Sequence, residues 1–171
     1  MKNKKALIFS IVALVIILGL AYKYFELMQN YISLKRQVRY EITSHLGSSI
    51  SFAAGIDLNK VGIGDKNSVL NMLYMYEDIS DLDATLTTIS YGEIALIDPL
   101  IMYDYKIVLR EIILKSMQGQ LTPGDINNIV VITDDIKQIN KYVTENTELN
   151  SKRFIKELEP KLKIYQVKQD K

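Results

Sequence analysis

The only histidine in the chain, His45, stands four residues after Glu41. On a helix that spacing puts an imidazole and a carboxylate on one face, the smallest unit that could move a proton or begin a metal site. Neither chemistry can be completed from the sequence. A di-iron bundle requires Glu-x-x-His on two helices, and one histidine cannot supply both. Serines surround His45, but none lies in a G-x-S-x-G elbow that would present it as a nucleophile. His45 is therefore read as an ordinary helix residue near a bend.

The acids Glu77, Asp78, Asp81 and Asp83 form the second constellation, with Glu77 and Asp81 one helical turn apart. Such a pair could hold a hard cation, but the glycine-containing loop of a calcium hand is missing, and a solvated helix face is the simpler reading. Gly62-Ile63-Gly64 is two-thirds of a dinucleotide fingerprint, with Asn67 where the third glycine belongs and no strand before it. With no cysteine, disulfides and thiolate metal sites are excluded. No catalytic residue, metal or cofactor is expected, and the chain is read as a non-enzyme.

What remains is a group of tyrosines and methionines. Met72, Tyr74, Met75 and Tyr76 fall in one helical stretch and Tyr103 and Tyr105 in the next. Tyr and Met are enriched at protein interfaces, so these six form a candidate interaction face, or the lining of a small pocket between the two helices. Packing in a helical core is the plain alternative.

The elements that would position these residues begin with MKNKKALIFSIVALVIILGLAYKYF. Residues 6–22 carry no charge and would span roughly 25 Å as a helix, enough to cross a bilayer when Lys5 and Lys23 extend outward. A cleaved signal peptide would use the same lysines and apolar run and end near Ala21. Retention is favoured because Leu27, Tyr31, Leu34, Val38 and Ile42 continue the helical spacing without a Pro or a turn cluster. Tyr22, Tyr24 and Phe25 suit an aromatic belt, and the lysines of residues 1–5 favour an inside N-terminus. The domain is then extracytoplasmic; a cytoplasmic domain is the alternative.

After the anchor the spacing predicts helices only. Helix A runs on to about Leu46, where GSSISFAAG loosens the pattern. Helix B covers about 67–90, capped by Asp65 or Asn67 and ended by Tyr91-Gly92. Helix C starts at Asp98-Pro99 and stops near Gly119. Helix D starts at Thr122-Pro123-Gly124-Asp125 and carries one apolar stripe through Ile126, Ile129, Ile136, Ile139, Val143 and Leu149 to Tyr165, kinked at Pro160. The expected architecture is all-α: a transmembrane helix continuing into an up-and-down antiparallel four-helix bundle with long first and last helices. The expected segments are a basic tail (1–5), the anchor (6–22), the bundle (23–159) and a basic C-terminal tail (160–171).

Charge supports that layout. Residues 1–40 carry seven Lys/Arg against one acid, residues 41–135 five against fourteen, and residues 136–171 nine against five. An up-and-down bundle returns helix D toward the anchor, so its membrane-near half would pair with helix A as a stalk. Lys23, Lys161, Lys163, Lys168 and Lys171 would then meet lipid headgroups. Basic residues placed at the membrane leave none for nucleic acid. The expected role is a membrane-anchored scaffold that binds another membrane or extracytoplasmic protein, or its own copy; a small-ligand sensor is the alternative. Bacterial sensors use a comparable architecture, which by itself carries no function. N-terminal sequencing of protein recovered from membranes should begin at the initiator end; a start at Tyr22 would replace the anchor with a secreted form.

Overall fold

A computed structural model describes residues 2–89, 97–146 and 151–164, and among them the chain is helical with no strand. Five α-helices follow in order: α1 (Lys2–Ala54), α2 (Lys66–Ile89), α3 (Pro99–Met117), α4 (Pro123–Glu145) and α5 (Ser151–Glu157). Single 3-10 turns occupy Val61–Ile63 and Glu159–Lys161. Contacts divide the chain into two compact units, Met1–Val38 and Arg39–Lys171.

The first unit is the N-terminal part of α1. Its Leu, Ile, Val and Ala run contains no Pro and one Gly, and every side chain from Phe9 to Tyr31 is exposed. It belongs to a helix long and apolar enough to cross a membrane. Internal i to i−4 hydrogen bonds satisfy such a backbone without water, the condition that hydrocarbon imposes.

In the second unit α1 does not loosen at residue 47 as expected; it runs to Ala54. Gly47 and the serines after it are weak helix formers, but Ile42, Leu46 and Ser49 are buried, and packing of one face outweighs propensity. The chain turns at Gly55, whose carbonyl accepts from Asn71 Nδ2 at 2.8 Å. A Cβ at Gly55 would lie 2.5 Å from that nitrogen, so a larger residue there would displace the Asn71 side chain and its hydrogen bond.

The caps are those the residues imply. Asp65 Oδ2 accepts from both the backbone N–H and the Oγ of Ser68 at 2.9 Å, starting α2. Asp98 accepts from the Leu100 N–H at the start of α3, with Pro99 in the first turn. Gly119, at φ 65°, closes α3: its N–H donates to Ser116 O, and the Gln120 N–H donates to Lys115 O, the paired bonds of a Schellman end. Thr122 and Asp125 make a reciprocal capping box on α4.

Helix α2 packs along α3, and α3 also meets α4. Their seams bury Met72, Met75, Ile79, Leu82 and Leu86 of α2 and Ile101, Met102, Tyr105, Leu109 and Ile112 of α3. From α4 come Ile129, Ile132, Ile136, Ile139 and Val143. The single long helix D is not formed. Helix α4 ends at Glu145, where Asn146 turns extended and folds its side-chain amide back onto Tyr142 O; α5 is a separate seven-residue helix. With this break goes the long partner that a stalk with α1 required. Phe154, Leu158, Leu162 and Ile164 still reach the core, and Pro160 sits in the 3-10 turn that follows α5. Tyr91-Gly92, Leu149 and Tyr165 lie outside the described residues.

Lys115 Nζ bonds Asp125 at 2.7 Å across α3 and α4. That bond, helped by the capping contacts, holds the Asp125 carboxyl down at about 2. A depressed carboxylate stabilises the fold fully above its unfolded pKa near 3.8, and that contribution fades as pH falls toward 2. The urea midpoint of the full chain in detergent should therefore drop more between pH 4.5 and 2.5 for the wild type than for Asp125→Asn. Equal drops would remove Asp125 from the acid response.

Candidate functional site

The six residues of the tyrosine–methionine group do not share one face. Met72, Met75 and Tyr105 are buried in the α2–α3 seam, Tyr76 is half-buried, and Tyr74 and Tyr103 are exposed. Tyr74 meets Phe52 of α1 with ring centroids 5.0 Å apart and the planes tilted by 35°, and Tyr103 carries the Lys106 ammonium 5.2 Å above its ring. The buried side chains of α2 and α3 pack against each other in that seam.

A cavity of about 240 Å³ lies elsewhere, between the end of α1 and α4. Ile50, Ala53, Ala54, Ile56 and Leu58 line one side, and Ile129, Val130, Thr133, Asp134 and Lys137 the other. Its polar groups are mostly occupied: Thr133 Oγ1 donates to Ile129 O at 2.8 Å, and Asp134 holds Lys163 Nζ at 2.7 Å. What remains is an open, apolar depression with Lys137 at its rim and no convergent polar set.

The residues capable of chemistry act as ties between helices. His45 Nδ1 lies 3.3 Å from Asp78 Oδ1, joining α1 to α2, a partner that the sequence pattern did not offer. Burial raises the Asp78 carboxyl despite this contact, and its Oδ2 has no partner. Asp83 pairs with Lys106 of α3. Glu77 and Asp81 remain exposed. No group of three or more metal-ligating side chains occurs among the described residues. Gly62-Ile63-Gly64 belongs to the 3-10 turn and its cap, whose Val61 carbonyl accepts from Ser116 Oγ at 3.1 Å.

One buried, well-connected polar group is not singled out by the sequence pattern. Asp135, fully buried on α4, accepts from the Tyr105 hydroxyl of α3 at 3.2 Å. It also accepts from the backbone N–H groups of Lys163 at 2.9 Å and Ile164 at 3.0 Å. Burial raises its carboxyl although all three donors pull it back. The available signal was an acid on the apolar stripe, three residues after Ile132 and one before Ile136.

Of the proposed membrane-surface lysines, Lys23 pairs with Glu26 at 2.8 Å and Lys161 is exposed in its 3-10 turn. Lys163 is drawn to Asp134, and its neighbours Leu162 and Ile164 are buried. These two apolar side chains are thus committed to the core and not to lipid. Lys168 and Lys171 lie outside the described residues.

The fold and these sites define an all-helical protein with one membrane-length apolar helix near its N-terminus. No protein-family model, curated protein or solved structure matches the chain.

Removing the Asp135 carboxylate should be costly in a way that is chemically graded. Asp135→Ala strands three donors and should cost on the order of 3 kcal/mol in chemical denaturation, whereas Tyr105→Phe should cost about 1 kcal/mol. Similar small losses for both would show that the C-terminal segment is not held through this group.

Proposed function

We propose that the chain is a single-pass membrane protein whose helical domain gathers a protein partner at the membrane and performs no chemistry. Residues 6–22 serve as a retained signal anchor with the N-terminus inside, and α1 to α4 build an extracytoplasmic up-and-down bundle that α5 closes. The connection from α3 to α4, residues 118–122, is short, which suits antiparallel neighbours. One observation carries the reading: an unbroken helix whose side chains are all exposed from Phe9 to Tyr31, the uncharged apolar run through Tyr22 among them. In water such a surface is unfavourable; in a bilayer it is the expected solute.

The small-ligand reading rests on the depression between α1 and α4, which offers volume but little recognition. The protein should resist alkaline carbonate extraction, and Leu14→Lys with Ile17→Lys should release it. Protease added to intact spheroplasts should digest residues beyond the anchor. Extraction of the wild type by carbonate would end the anchor reading, and full protection before lysis would place the domain inside.

A further inference from the structure

The exposed part of α1 carries a seven-residue repeat. Leu20, Leu27 and Leu34 recur every seven residues, and Tyr24 and Tyr31 stand between them at alternating steps of four and three. All five are solvent-exposed: Leu20 67 %, Tyr24 71 %, Leu27 66 %, Tyr31 43 % and Leu34 45 %. Val38, the next position, is already buried, so the free stripe ends there. A strict 3.5-residue period is the pattern that lets one helix seat its knobs in the holes of another helix over several turns.

We infer that residues 20–34 form a parallel, in-register coiled coil with a second copy of this chain. The inference rests on the membrane-anchor reading, because anchors inserted in one direction enforce parallel helices. Charge permits the pairing. With Leu20, Leu27 and Leu34 at d and Tyr24 and Tyr31 at a, Lys23 faces Met28 of the other copy and Asn30 faces its Lys35. No two like charges meet across the seam. Within each helix, Lys23 is neutralised by Glu26 and the Lys35 ammonium lies 6.0 Å over the Tyr31 ring.

The same register continued into the apolar segment selects Ile17, Ala13 and Ser10. The chemistry of the stripe thus changes with its surroundings. Lipid gives no drive to bury large apolar groups, and close approach of small residues is what joins helices there. Water favours burying Leu and Tyr. Covering the four large side chains beyond residue 22 removes roughly 450 Å² from each helix, below the about 1,200 Å² in total of a stable interface. Confinement in one membrane raises the effective concentration and supplies what so short a coil lacks.

The absence of cysteine from the sequence makes the test direct. Single substitutions Leu27→Cys, Tyr31→Cys and Leu34→Cys, and the outer-face controls Gln29→Cys and Arg36→Cys, are introduced into the full chain and oxidised in native membranes. Disulfide-linked dimer should form at least about tenfold faster at 27, 31 and 34 than at 29 and 36. Adding Leu27→Lys and Leu34→Lys to Tyr31→Cys should abolish its cross-link. No dimer, or equal dimer at all five positions, in protein that resists carbonate overturns the coiled coil alone. Release of the protein by carbonate overturns the anchor and the coiled coil together.

Discussion

A buried carboxylate fixes the geometry of the helical body. Apolar seams hold helices together but tolerate sliding and rotation, because leucine and isoleucine contacts are nearly interchangeable along a groove. Asp135 is not interchangeable. It takes donors from α3 and from the backbone of residues 163 and 164, and each of these would be costly to leave unpaired inside. Its own desolvation opposes the arrangement, which is why burial raises its carboxyl. The group therefore specifies one packing and adds little net stability.

Around it, the acids of the middle of the chain have similar duties. Asp78 meets His45, Asp83 meets Lys106, and Asp125 meets Lys115 while capping its own helix. Glu157 of α5 accepts from the Tyr142 hydroxyl of α4 at 2.6 Å. Each neighbouring pair of helices thus has a polar tie beside its apolar seam. The residue types that invite a search for catalysis are present, but they are distributed as single struts and do not converge on a shared space.

The N-terminal part of α1 presents the opposite case, an apolar surface that the described chain leaves uncovered. Its proposed occupants differ along its length: lipid around the apolar segment, and a second helix along the Leu–Tyr stripe. Both proposals rest on one feature, an uninterrupted helix without Pro that keeps its side-chain stripes in line along its length.

The starts of α2, α3 and α4 were legible in the sequence, because a cap is made by residues two or three apart and needs no knowledge of the rest of the chain. The all-helical class and the apolar stripe of α4 were legible too, through spacings of three and four. Tertiary structure alone decided that α1 continues past Gly47, that helix D breaks after Glu145, and that Ile132 is buried alongside Ile129 and Ile136. It also decided the partners of His45 and Asp135, which lie 33 and 28–30 positions away. Periodicity reports which face of a helix is apolar, a property of adjacent turns. Which polar group answers another across a seam depends on how two helices are rotated and shifted against each other, and that is settled only when the core closes.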